Sequence, residues 1–351
     1  MKTKNTAIAL AILAASLYAV NSPLSKLLLQ QVSPTMMAAF LYLGAGLGLA
    51  LWSGISALMG KRVIREPLTC KELPYTAAMV VLDIAAPIFL MLGLTRTNSA
   101  NVSLLNNFEI VATSLIAFFI FREVLSRRLC LAIVLVTLAS VILGFEGSGS
   151  FSFNLGSLFV LAACTCWGLE NNCTKMISSK SSVEIVIIKG TFSGLGSLLV
   201  ALVLGETFPQ MVYLLCTMVL GFVAYGLSIN FYIMAQKDLG AAKTSAFYSA
   251  APFLGVAFSM LLLGERPGLQ FYAALAVMLA ATVLLVRDSV TLQHTHEHSH
   301  THTHEHCHGE LVHTHEHEHR HIHLHVHGED IALHSHSHKD LHGHRHAHGL
   351  S

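Results

Sequence analysis

The sequence predicts an all-α integral membrane protein: ten transmembrane helices as two inverted five-helix repeats, followed by a disordered His-rich tail. Three observations carry this. Of 351 residues, 53% are hydrophobic and 12% charged, too little charge to cover a soluble protein of this length. The apolar residues collect in runs that match the roughly 20 residues a helix needs to cross the hydrocarbon layer. Finally, the chain repeats itself. Tyr18-Ala19 leads to Lys26 as Trp167-Gly168 leads to Lys175, and Ala100-Asn101-Val102-Ser103 leads to Phe121-Arg122-Glu123 as Ala242-Lys243-Thr244-Ser245 leads to Gly264-Glu265-Arg266. Five spans per copy, an odd number, place the copies in opposite orientations.

These features divide the chain into a first repeat (1–146), an external linker (147–154), a second repeat (155–287) and a cytoplasmic tail (288–351). Span 1 (6–29) follows Lys2 and Lys4. It outruns a signal peptide, and its partner at 155–177 is internal, so it reads as a membrane helix. Span 2 (35–59) begins after Ser33-Pro34 and carries Gly44, Gly46 and Gly48. The charged Lys61–Lys71 loop separates it from span 3 (73–94), which holds Asp83 one turn before Pro87. Span 4 (100–121) carries Asn106, Glu109 and Thr113, and the basic stretch Arg122–Arg128 leads to span 5 (129–146). In the second copy, span 6 (155–177) holds Trp167, Glu170 and Asn171, and span 7 (183–204) holds Lys189 with Gly190, Gly194 and Gly196. Span 8 (210–235) follows Gly205–Pro209. Span 9 (244–263) contains Tyr248 and Pro252, and span 10 (271–287) closes the body. The span 2 and span 7 glycines are expected to let helices approach closely. The seven cysteines make no disulfide framework.

Lys and Arg in the connections set the direction. With the N-terminus inside, the inner segments carry fourteen and the outer ones three, Lys26, Arg96 and Arg266. That bias puts both termini in the cytoplasm. The location it implies is the inner (plasma) membrane of a bacterium.

In Ala242–Gly268, Pro252 lies mid-span and Leu263-Gly264-Glu265-Arg266-Pro267 closes the segment; Phe121-Arg122-Glu123 is its first-half copy. With the aromatic-to-lysine pattern opening each half, this resembles the drug/metabolite transporter superfamily, of the type built from two EamA domains. The likeness covers all but the tail. It implies a ten-helix carrier with a central cavity, moving small metabolites, amino acids or drugs by exchange or proton coupling. One departure stands out: Ile110 occupies the place of Pro252, with Glu109 beside it.

Ionisable groups inside a span are costly and normally face a cavity or a partner. Asn106, Glu109 and Thr113 lie at i, i+3 and i+7, a stripe able to bind a polar solute and pass a proton. Asp83 either lines a kinked site near Pro87 or pairs with a neighbouring helix. Cys166, Glu170 and Cys173 share another helical face, either as ligands for an intramembrane transition metal or as small apolar residues beside a cavity. Lys189 either pairs with Glu170 or snorkels to the interface. Tyr18, Asn21, Trp167, Asn171 and Tyr248 complete the candidate substrate or proton path.

All 23 histidines fall after residue 293. His294, His296, His298, His300, His302, His304, His306 and His308 alternate with other residues, as do His313, His315, His317, His319, His321, His323, His325 and His327. Such H-x-H spacing offers many imidazoles to Zn, Ni, Co or Cu without one fixed geometry. No apolar face supports folding of the tail without ligand.

The sequence therefore predicts a secondary transporter, an exporter or exchanger of a small metabolite or organic solute, with a metal-binding tail. The alternatives are a Zn/Ni/Co carrier and a membrane-anchored metal or pH sensor. No nucleophile–base set, phosphate loop or fixed metal motif points to an enzyme. The expected partners are the lipid bilayer and a small-molecule or ion substrate, with no nucleic acid, and no cofactor is required.

Overall fold

A computed structural model describes residues 2–58, 68–120, 122, 125–144, 154–177, 180–239, 241–292, 294–308 and 311–325, with side chains left out at 2–4, 182, 237, 241, 242 and from 289 onward. Met1–Val290 forms one compact unit and Thr291–Ser351 another. The first is helical: α1 (Lys2–Ala19), α2 (Asn21–Leu28), α3 (Pro34–Leu58), α4 (Leu73–Arg96), α5 (Ser99–Leu105), α6 (Phe108–Phe119), α7 (Arg127–Gly144), α8 (Leu155–Met176), α9 (Ser182–Val203), α10 (Met211–Gly221), α11 (Ser228–Leu239), α12 (Ala241–Tyr248), α13 (Ala251–Leu263) and α14 (Leu269–Leu292). Among the described residues, nine helical stretches are long and apolar enough to cross a membrane. The span expected at 155–177 is present as α8, but its Thr165, Glu170, Asn171 and Asn172 keep it out of the nine.

Several expected spans are not single α-helices. Span 1 is interrupted at Val20, span 4 at Asn106-Asn107 and span 9 at Ser249-Ala250. Span 8 contains a π-helical segment, Phe222–Leu227, between α10 and α11. At 249–250 the cause is Pro252, which has no N–H and tolerates only the first turn of a new helix. At 106–107 no proline is involved. The Asn107 amide instead donates to Leu104 O at 3.0 Å, a side chain competing with the helix for its own carbonyl. In span 3, α4 is one continuous helix with Pro87 inside it.

Helices of the two halves pack against each other: α3 on α9, α4 and α6 on α8, α1 on α11, and α5 on α13. Glycine allows the closest of these approaches. A Cβ on Gly46 would stand 2.5 Å from Thr191 N, one on Gly190 2.5 Å from Gly46 N, and one on Gly221 2.0 Å from Leu41 O. The buried interior includes Met36, Met37, Leu41, Leu90, Met91, Leu94, Leu104 and Leu105. Outside, Leu51, Ile55, Phe119, Val134, Leu199, Leu215 and Leu261 are exposed, an apolar surface suited to lipid rather than water.

Charged side chains finish the helix ends, where backbone groups lack intrahelical partners. The Glu265 carboxylate accepts from Ser99 N and Ala100 N at 2.8 Å each, at the start of α5. Glu206 accepts from Ser33 Oγ and Met36 N at 2.8 Å, at the start of α3. Lys26 donates to Leu94 O and to Thr97 O, the latter at 2.8 Å, at the end of α4. Phe121 and Glu123 of the first-half motif and residues 147–153 lie outside the described residues.

In the second unit the described residues form two strands. β1 (His294–His308) and β2 (Leu311–His325) pair antiparallel, with His294 opposite His325 and His306 opposite His313. Strict alternation is the period of a β-strand. Residues 326–351, and the side chains of His294–His327 to which metal binding was assigned, lie outside what the structure describes.

Candidate solute-binding cavity

A cavity of about 340 Å³ lies within the bundle, at the small end of the usual range for ligand sites. Two of the three interrupted spans bring their breaks to it: Asn106, Asn107, Glu109 and Ile110 from the α5–α6 break, and Tyr248, Ser249, Ala251 and Pro252 from the α12–α13 break. Tyr18, Tyr42, Trp167 and Tyr225 supply aromatic walls, and Glu170, Asn171 and Lys189 the remaining polar lining.

An ion triad stands on one side. Lys189 Nζ lies 3.0 Å from Asp83 Oδ2 and 3.0 Å from Glu170 Oε2, both carboxylates being buried. Trp167 Nε1 donates to the Tyr42 hydroxyl at 3.3 Å, and that hydroxyl donates to Asp83 Oδ1 at 3.1 Å. Thr174 Oγ1 donates to Glu170. The lysine thus ties α4, α8 and α9 together and brings its charge to the cavity wall.

Glu109 is held differently. Asn171 Nδ2 donates to its Oε1 at 2.6 Å, and lies 3.4 Å from Thr113 Oγ1. Among the described residues it forms no ion pair. Gly168 makes this contact possible: a Cβ there would be 2.7 Å from Thr113 N, so α8 lies directly on α6. Asn172 Nδ2 fastens the crossing by donating to Thr113 O at 3.0 Å and Gly168 O at 2.8 Å.

The tyrosines form a continuous row. Tyr42 and Tyr225 have ring centres 5.6 Å apart, Tyr225 and Tyr18 5.8 Å, Tyr18 and Tyr248 5.8 Å, and Tyr248 and Tyr232 5.1 Å. Asn21 Nδ2 donates to Tyr225 OH at 3.0 Å, fixing that ring.

Of the expected path residues, Tyr18, Asn106, Glu109, Trp167, Glu170, Asn171 and Tyr248 line the cavity. Asp83, Thr113 and Asn21 stand behind its wall, each bound to a lining residue or its neighbour. The choice left open for Asp83 resolves to pairing with Lys189. The stripe of Cys166, Glu170 and Cys173 is not gathered into a ligand set: Glu170 is engaged by Lys189 and Thr174, and among the described residues no three His, Cys, Asp or Glu side chains are placed to hold a metal ion. Tyr42 was missed. A tyrosine in the middle of an apolar span was the available signal, since a buried hydroxyl needs a partner.

Apolar helices around a polar, solute-sized hollow define an integral membrane transporter. The EamA-like transporter family matches residues 5–145 and again 154–287; the chain belongs to this family. A protein of Methanothermobacter thermautotrophicus described as an uncharacterized transporter is 25% identical over 285 residues, 76% of this chain and 82% of its own length. A solved crystal structure shares the fold at a TM-score of 0.58 and 18% identity, covering 82% of this chain and 98% of the other.

Proposed function

We propose that this protein is a secondary carrier of a small organic solute, working by exchange or proton coupling. The observation that carries the reading is the pair of helix breaks, at 106–107 and 249–250, on one cavity. Interrupted helices are tolerated at membrane depth where they line a site, and they recur in matching positions of repeat-built carriers. In this reading the two family copies are inverted, α8 is the tenth span, and both termini lie in the cytoplasm of a bacterial cell. The α5–α13 contact closes the outer end: Ser259 Oγ donates to Ser99 Oγ at 2.9 Å, and a Cβ on Gly255 would sit 2.8 Å from Ser103 Oγ. Transport opens that contact and closes the inner half-helices α6 and α12 in exchange.

The carrier is tested by reconstituted flux, screening amino acids, amines, organic acids and divalent metals in parallel. Saturable flux of an organic solute supports it; flux of metal ions alone supports the metal-carrier alternative. For the tail we propose capture of Zn, Ni, Co or Cu by its dense imidazoles. Deleting residues 289–351 is expected to abolish metal retention by the purified protein and to leave solute flux intact.

A further inference from the structure

We propose that the cavity takes an organic cation: an amine or ammonium group set between Glu109 and the Asn106 carbonyl oxygen, with an apolar body among the tyrosines and no carboxylate of its own. This rests on the carrier reading and names its substrate class. The charges come first. Lys189 already stands between two carboxylates at 3.0 Å each, so its positive charge is offset and draws an incoming anion only weakly. Among the described residues Glu109 has one donor, an amide, on one oxygen. A half-buried carboxylate on the wall of a cavity among apolar helices, left with so little compensation, calls for a cation.

Hydrogen-bonding capacity points the same way. Helix breaks can hold anions through free N–H groups, but at the first break, beside Glu109, four of them are taken. Asn106 N bonds to Val102 O, Asn107 N to Leu104 O, Glu109 N to Asn106 O and Ile110 N to Asn107 O; at the second break Ser249 N bonds to Ser245 O and Ala250 N to Phe247 O. Pro252 has no N–H at all. Beside Glu109 an acceptor is unfilled as well, since Asn106 Oδ1 is buried with no partner. An ammonium supplies N–H donors where acceptors wait. The faces of Tyr18, Trp167, Tyr225 and Tyr248 give the negative quadrupole that attracts a cation.

Three probes that share one ring separate the charge classes: phenethylamine (ammonium only), phenylalanine (zwitterion) and 3-phenylpropionate (carboxylate only). Binding to the full-length protein is read from its two tryptophans, Trp167 in the wall and the exposed Trp52 as reference, and flux from proteoliposomes. Phenethylamine is expected to bind saturably, at least tenfold tighter than the other two. Glu109→Gln, which keeps the Asn171 contact, is expected to weaken it at least tenfold, and Asn106→Leu severalfold, both with an unchanged melting profile. Equal binding of all three, failure of phenethylamine to bind, or full affinity in folded Glu109→Gln overturns the assignment. Flux of the zwitterion or the acid in its place also overturns it while leaving the carrier standing. Absence of flux across the whole solute panel, with phenethylamine still bound, ends the carrier reading instead.

Discussion

Replacing Lys189 by Met removes one ammonium from between two buried carboxylates. Asp83 and Glu170 each lie 3.0 Å from the amine, with side chains 0% and 1% exposed. Breaking a buried pair by deleting one partner costs about 3–5 kcal/mol, because the charge left behind has lost its water and its counter-ion. Here two carboxylates are stranded, which argues for the upper end. Lys189 itself is 21% exposed, so water reaches the gap and argues for the lower. At 2–4 °C per kcal/mol, ~3 kcal/mol corresponds to a fall in melting temperature of roughly 6–12 °C. The assay is thermal unfolding of the purified full-length protein in detergent. Adding Asp83→Asn and Glu170→Gln to Lys189→Met removes the stranded charges and is expected to recover most of the loss. A shift below about 2 °C for the single change, or a triple variant as unstable as the single, would refute the electrostatic argument.

Other expectations concern packing and backbone. Gly46→Ala pushes a methyl toward Thr191 N, 2.5 Å away, whereas Gly54→Ala meets nothing within 4 Å; overpacking costs about 1–3 kcal/mol, so only the first should lower the melting temperature. Arg122 sits at φ 55°, in the left-handed region, as does Gly264 at φ 64°, 142 residues on. A non-glycine residue there is strained by about 1–2 kcal/mol, so Arg122→Gly should stabilise and Gly264→Ala destabilise by that order, and opposite signs in denaturation would exclude this backbone. Glu265→Ala removes both acceptors from the start of α5. A loss of about 1–2 kcal/mol is expected, with faster amide exchange at Ser99 and Ala100; unchanged exchange would mean that the cap is not made.

The spans were legible because hydrophobic runs report the bilayer directly. The helix α8, too polar to count as a span on composition, was placed through its likeness to span 1. The breaks were harder to read. Pro252 marks one, but at 106–107 two asparagines in an apolar run carry no proline, and only the side-chain bond from Asn107 to Leu104 shows why the helix yields. Glu109 and Asn171 were each visible as costly polar residues, yet their contact with each other was not, whereas the pairing of Glu170 with Lys189 was one of two readings. The Glu109–Asn171 contact depends on Gly168 bringing α8 onto α6. The Lys189–Asp83 pair joins residues more than a hundred positions apart. Helix capping by Glu206 and Glu265 is invisible for the same reason, since each reaches a helix in the other half of the chain. In the tail, the alternation was read as ligand spacing, while the same period also suits the β1–β2 pairing.

The contact between α5 and α13 offers the most direct measurement of whether this cavity serves transport. Ser99 and Ser259, changed together to Cys in a protein whose exposed Cys70, Cys130 and Cys216 and the tail Cys307 are replaced by Ser, place two sulfurs where hydroxyls now stand 2.9 Å apart. Oxidation should bring solute flux in proteoliposomes to background, and reduction should restore it. Undiminished flux from protein shown to be fully cross-linked would contradict a cavity that opens to its two sides in turn.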